Sequence, residues 1–280
     1  MSKDNFPVNE AKAFVEVSIE TPLIGFLGGE QGKEINNSIK KDYKNFPALQ
    51  IANYGDGLIK GSNPFFVVAV QERLPNNMRV ASQSDLEKAL KWKSLDLKGI
   101  YVDSSLALKT EENPNSYLAK NLIAQIKKRD SKSKMPVMIP LCELSLVEDS
   151  SSVYGLRFEL KEDANILFAP ILNKESGNFS LEDVNLKIGL PKKLGEGNRY
   201  FYTRKDGLSR VYLDGDSSVS SINDILQDSN SNGRVGVVNA VGVAPEILEQ
   251  RVQELKNINN LEIKKINKRY QEAVKILKSE

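Results

Sequence analysis

Residues 199–213, RYFYTRK-DG-LSRVYL, constrain the fold more than any other stretch of this chain. Apolar and polar residues alternate on both sides of Asp206-Gly207, and that alternation has the period of a β-strand. An Asp-Gly pair between two such runs predicts a two-residue hairpin, because the turn needs positive φ at its centre. In that register Lys205 faces Leu208, Thr203 faces Arg210 and Phe201 faces Tyr212. Arg199, Phe201, Lys205, Arg210 and Tyr212 then share one side of the ribbon. Tyr200, Tyr202, Val211 and Leu213 share the other, interrupted by Arg204 and Ser209, and are expected on the core. The first side joins aromatic rings to cations. It suits a subunit interface, where Tyr, Phe and Arg are enriched, or single-stranded nucleic acid, whose bases stack on rings. A slip of one residue exchanges the two sides.

Around this hairpin, residues 149–243 read as β-rich. Short apolar runs (YGLRFEL, NILFAPIL, RVGVVNAVGV) are punctuated by Gly, Asn, Asp and Ser. Residues 1–148 read as mixed α/β. Strands are expected at 13–19, at 65–71 (FFVVAVQ), at 99–102 (GIYV) and in MPVMIPL. A helix is expected from Ser84, which has capping-box spacing to Glu87. Another is expected to run from Asn113-Pro114 to about Arg129. The predicted fold class is α/β to α+β: a mixed sheet with packed helices in the first half, a β-rich second half and a C-terminal amphipathic helix.

That last segment, 244–280, carries apolar residues at heptad-like steps. Leu248, Val252 and Leu255 form one set; Ile263, Ile266, Tyr270 and Leu277 form the second, out of phase across Asn257–Asn260. Such spacing marks a coiled-coil-like seam. An amphipathic helix draws most of its stability from covering that seam, so self-association is expected through it.

GFLGGEQGKE, residues 25–34, sits between a strand-like and a helix-like run, the layout of a phosphate loop. It lacks the fixed residues. Leu27 stands where the first Gly belongs, and Glu34 replaces the hydroxyl that holds Mg²⁺. A dinucleotide fingerprint fails at Leu27 and Glu30. The stretch is therefore read as a turn or an assembly contact that binds no nucleotide. DSNSNG, residues 228–233, matches the first half of a calcium loop, with Asp228, Asn230 and Asn232 as candidate ligands and Gly233 at the turn. Position twelve is Asn239 rather than a bidentate Glu. Ca²⁺ is the one candidate ion; no other cofactor is expected.

Composition narrows the chemistry. The chain has no histidine and one cysteine in 280 residues. That removes imidazole general bases, Ser-His and Cys-His pairs, and His- or thiolate-bound zinc. It also removes an intrachain disulfide. Charge is balanced, 39 basic against 37 acidic residues, so a basic surface would have to be local. No apolar run approaches a membrane span and no secretory leader begins the sequence, so a cytoplasmic protein without membrane contact is expected. The reading that follows is a non-enzymatic structural protein acting by protein–protein interaction within a homo-oligomer or larger assembly. The alternatives are a nucleic-acid-binding module using the hairpin face and the basic C-terminal helix, and a carboxylate- or metal-dependent enzyme built on Asp103, Glu72 and Asp56.

Overall fold

A computed structural model describes residues 24–239. The elements begin with β1 (Ile24–Phe26), α1 (Gly29–Asp42), β2 (Asn53–Gly55), β3 (Leu58–Lys60), α2 (Pro64–Gln71), β4 (Met78–Val80) and α3 (Gln83–Lys91). Then come β5 (Tyr101–Leu108), α4 (Ser116–Arg129), β6 (Val137–Pro140), β7 (Leu144–Glu148), β8 (Leu156–Leu160) and β9 (Leu167–Phe168). The remaining strands are β10 (Gly177–Phe179), β11 (Val184–Asn185), β12 (Leu190–Pro191), β13 (Arg199–Tyr202), β14 (Leu208–Leu213), β15 (Val219–Ser220), β16 (Gly233–Arg234) and β17 (Gly236–Asn239). The predicted class holds: helices and a mixed sheet. The strand expected at 13–19 and the helix expected at 244–280 lie outside the described residues.

Three local expectations change. FFVVAVQ is helix α2, not a strand. Asn63 caps it, its side-chain oxygen accepting from the N–H of Phe66 at 2.8 Å, and Pro64 takes the first turn. The run reads apolar on every side because the helix is buried on every side: Pro64 through Val70 are all in the interior. Helix α1 starts at Gly29, so Lys33 and Glu34 lie inside it rather than in a loop. Helix α3 is capped two residues earlier than predicted. The Ser82 hydroxyl accepts from the Asp85 N–H, and the Asp85 carboxylate accepts from the Ser82 N–H at 2.8 Å. This frees Glu87 for a different task, described below.

The principal sheet has eight strands. Its main path runs β10-β13-β15-β14-β5-β6-β9, with β16 also pairing β5. It is mixed: β13–β15 and β16–β5 are parallel, the other pairs antiparallel. Strands from both sides of residue 148 share it, and long central β5 touches β14, β6 and β16. The Asp-Gly hairpin is a correction. β13 and β14 do not pair with each other, because β15 lies between them, parallel to one and antiparallel to the other. Gly207 still needs its positive φ, 73°, but it turns the chain into a neighbouring position rather than straight back.

One irregularity sets the site. Val211 pairs with Ser105 and Tyr212 with Asp103, so Ser104 is an extra residue in β5, a β-bulge. On one face Leu106, Leu108 and Leu208 pack under α2 and α4. On the other Val102, Ala107, Val211, Leu213 and Phe201 pack with Leu86 of α3. Past the bulge, Asp103 lies on the first face although the plain alternation from Leu106 would put it on the second. No helix among the described residues is long and apolar enough to cross a membrane.

Candidate functional site

A charged residue in a central strand needs a partner, since an unpaired buried charge is expensive. Asp103 on β5 and Arg210 on β14 meet diagonally across the two strands, since Tyr212 is the residue opposite Asp103. Nε and Nη2 of Arg210 donate to the two carboxylate oxygens at 2.7 and 2.6 Å. The hydroxyl of Ser62 donates to the same carboxylate at 2.6 Å. Side-chain exposure is 3% for Arg210 and 0% for Asp103. Burial pulls the Arg210 guanidinium down, but Asp103 outweighs it and the group stays above its ordinary value. The guanidinium lies over two rings, 5.2 Å from the centre of Tyr101 and 5.1 Å from that of Tyr212. Its Nη1 donates to the carbonyl of Asp228 at 2.7 Å, tying the 228–232 loop to the sheet.

Above this pair opens a recess of about 270 Å³. Tyr101, Arg210 and Tyr212 form its floor and wall. Its rim comes from the turns Gly99–Ile100 and Asp214–Gly215, from Asn223, and from Asp228, Asn230 and Asn232. The three candidate calcium ligands are therefore gathered at one opening. Two side-chain oxygens at this rim already accept backbone hydrogen bonds. The side-chain oxygen of Asn230 accepts from the N–H of Asn232 at 2.8 Å, and that of Asn223 from the N–H of Ile225 at 2.9 Å. Both amides thus turn their NH₂ groups away from those turns, and a guanidinium lies beneath. Among the described residues no group of three or more His, Cys, Asp or Glu side chains is placed to hold a metal.

The second internal pair is Arg199 with Glu87. Both guanidinium nitrogens donate to the carboxylate, at 2.7 and 2.6 Å, and Nε donates to the carbonyl of Ser217. Arg199 lies 4.5 Å from the centre of the Phe179 ring. Of the residues predicted to form a basic aromatic surface, Arg199, Phe201 and Arg210 are thus interior, which corrects that reading. The physical reason is the insertion of β15, which makes β13 an internal strand with Phe201 on its core side. Tyr212 is half-buried against the recess and Lys205 is exposed. On β13 it is Tyr202 that reaches solvent, 41% exposed. Leu248, Val252, Leu255, Ile263, Ile266, Tyr270 and Leu277 lie outside the described residues.

Four other reactive side chains are buried or bonded. Burial pushes the Cys142 thiol up to about 12, so it holds almost no thiolate at neutral pH. Burial pulls the Lys109 ammonium down to about 8, while its nitrogen donates to the carbonyls of Leu172 and Arg204. Glu72 accepts from the N–H of Leu146 at 2.9 Å, and Asp56 pairs with Lys60. The sequence did carry a signal for the two ion pairs: Asp103, Arg199 and Arg210 each interrupt an apolar strand pattern. Their partners, roughly a hundred positions away, could not be read from spacing. No protein-family model, curated protein or solved structure matches this chain.

Proposed function

We propose that the chain is a non-enzymatic structural protein that works by protein–protein contact within a homo-oligomer or larger assembly. The observation that carries this reading is three exposed apolar side chains on strand β13 and the segment bonded to it. Tyr202 is 41% exposed, Ile222 48% and Ile225 56%. The strand that carries Tyr202 is linked to the segment that carries Ile222: the Ser221 N–H donates to the Tyr202 carbonyl at 2.8 Å, and Arg204 donates to the Ile222 carbonyl at 2.9 Å. The segment is fastened further by the Arg210 N–H on the Asn223 carbonyl. Tyr200 packs against Tyr202 with ring centres 4.5 Å apart. Two isoleucines and a tyrosine presented on hydrogen-bonded backbone lose little freedom when a partner covers them, which is what makes an interface favourable. The apolar steps in 244–280 supply a second expected seam.

The test is light scattering on the full chain and on a variant with Tyr202→Ser, Ile222→Ser and Ile225→Ser. These sites are exposed, so a cooperative melt should persist. The reading expects the variant to fall to a lower mass or to dissociate at higher concentration than the parent. A variant that keeps the parent's assembly unchanged removes these side chains from the account. A chain ended after Ala244 tests the second seam in the same way.

A further inference from the structure

We propose that the recess over Arg210 binds a small neutral polyol, a carbohydrate of about one ring. The inference stands apart from the assembly reading and rests on which hydrogen-bonding groups face the opening. The side-chain oxygens of Asn223 and Asn230 each accept one backbone N–H, and their NH₂ groups remain as donors. Among the described residues Asp228 makes no side-chain hydrogen bond, and Asp214 uses one oxygen on the N–H of Gly215; both offer acceptors. A rim that offers both donors and acceptors matches hydroxyl groups, each of which donates and accepts. The same rim fits other classes poorly. A metal ion would meet the Arg210 guanidinium below, and among the described residues no group of three or more His, Cys, Asp or Glu side chains is placed to hold one. A phosphate or carboxylate meets two carboxylates at the rim and an arginine already neutralised by Asp103.

The half-buried ring of Tyr212 supplies an apolar wall against which the C–H face of a sugar can lie while its hydroxyls reach the planar side chains. Volume agrees. About 270 Å³ lies just under the range of pockets for drug-sized ligands, and so suits one ring rather than an extended molecule. The floor is rigid: Arg210 is fixed by Asp103, by the Asp228 carbonyl and by two rings. A pre-formed floor spares the ligand the cost of ordering the site.

The experiment is saturation-transfer NMR on the full chain with glucose, galactose, mannose and N-acetylglucosamine, each at millimolar concentration. At least one should receive saturation at its ring C–H protons. Tyr212→Leu should abolish the transfer. Asp228→Ala, which removes a side chain without hydrogen bonds among the described residues, should weaken binding about tenfold, the loss of one charge-assisted hydrogen bond, with an unchanged melt. The Asp228 variant keeps the test open should Tyr212→Leu fail to fold. No transfer to any of these sugars, or transfer that survives both substitutions, overturns the proposal. So does a melting-temperature rise with calcium chloride or spermidine when the sugars give none.

Discussion

Replacing Asp103 with asparagine should destabilise the protein far more than its near-identical shape implies. The carboxylate accepts three charge-assisted hydrogen bonds, from Nε and Nη2 of Arg210 and from the Ser62 hydroxyl. An amide keeps one good acceptor. Its NH₂ group is placed against a donor of either Arg210 or Ser62, and the guanidinium is left charged at 3% exposure. Charge centres about 4 Å apart attract by about 4 kcal/mol at an effective dielectric constant near 20. Measured losses on removing one member of a buried pair run about 3–5 kcal/mol. For a chain of this size that corresponds to a fall in melting temperature of roughly 6–20 °C. Thermal unfolding followed by circular dichroism at neutral pH reads it. The companion variant, Asp103→Leu with Arg210→Met, removes both charges and leaves neither unpaired. It should melt above Asp103→Asn, because apolar replacement of a whole buried pair is often neutral or stabilising. A fall of less than about 1 kcal/mol for Asp103→Asn, of the size found for exposed pairs, would refute the claim that this pair is a buried structural element.

Other consequences follow from single groups. Burial alone would raise the Asp85 carboxyl, but the Arg79 fork, at 2.5 and 3.0 Å, and the Ser82 cap together hold it below its ordinary value. Its stabilisation is therefore complete above the unfolded value near 4 and is lost as pH falls through the lower folded value; the melting difference between parent and Asp85→Asn should narrow with acid below about pH 4. Cys142, raised to about 12, should react with a thiol reagent in the folded protein roughly a thousandfold more slowly than a free cysteine at pH 8, and at the ordinary rate in denaturant. Gly207→Ala should lower the melting temperature, because φ is 73° and an added Cβ would lie 2.5 Å from the Pro114 backbone; an unchanged melt would contradict the turn geometry.

Where sequence and structure agree, the signal was local. Helix α4 and strand β6 declare themselves through periodicity and through flanking Pro, Asn and Ser, whereas the strand expected at 99–102 marks only the start of β5, which runs Tyr101–Leu108. The 228–233 loop was legible as a cluster of oxygen-bearing side chains, though not as the rim of a recess, since Asp214, Asn223 and Tyr101 join it only through the sheet. FFVVAVQ misled because a helix covered on all sides has no polar stripe, so its apolar run cannot be told from a buried strand by period; the Asn63-Pro64 pair before it was the informative cue. The ribbon at 199–213 misled for a different reason. Two residues of β15, Val219 and Ser220, displace the pairing that Asp-Gly predicts, and nothing in 199–213 itself records them. With β13 inside the sheet, Phe201 faces the core and Arg199 turns to Glu87, 112 positions away. The surface that remains is the opposite one, carrying Tyr202.

The assembly we propose for this chain can be tested directly. The most direct measurement is the mass of the full 280-residue chain by multi-angle light scattering across a dilution series at physiological salt. The account predicts a mass of at least two copies of the 31.2 kDa chain at the highest concentrations, falling towards one on dilution if the contacts are reversible. A single-copy mass at every concentration, with no larger complex, would contradict self-assembly.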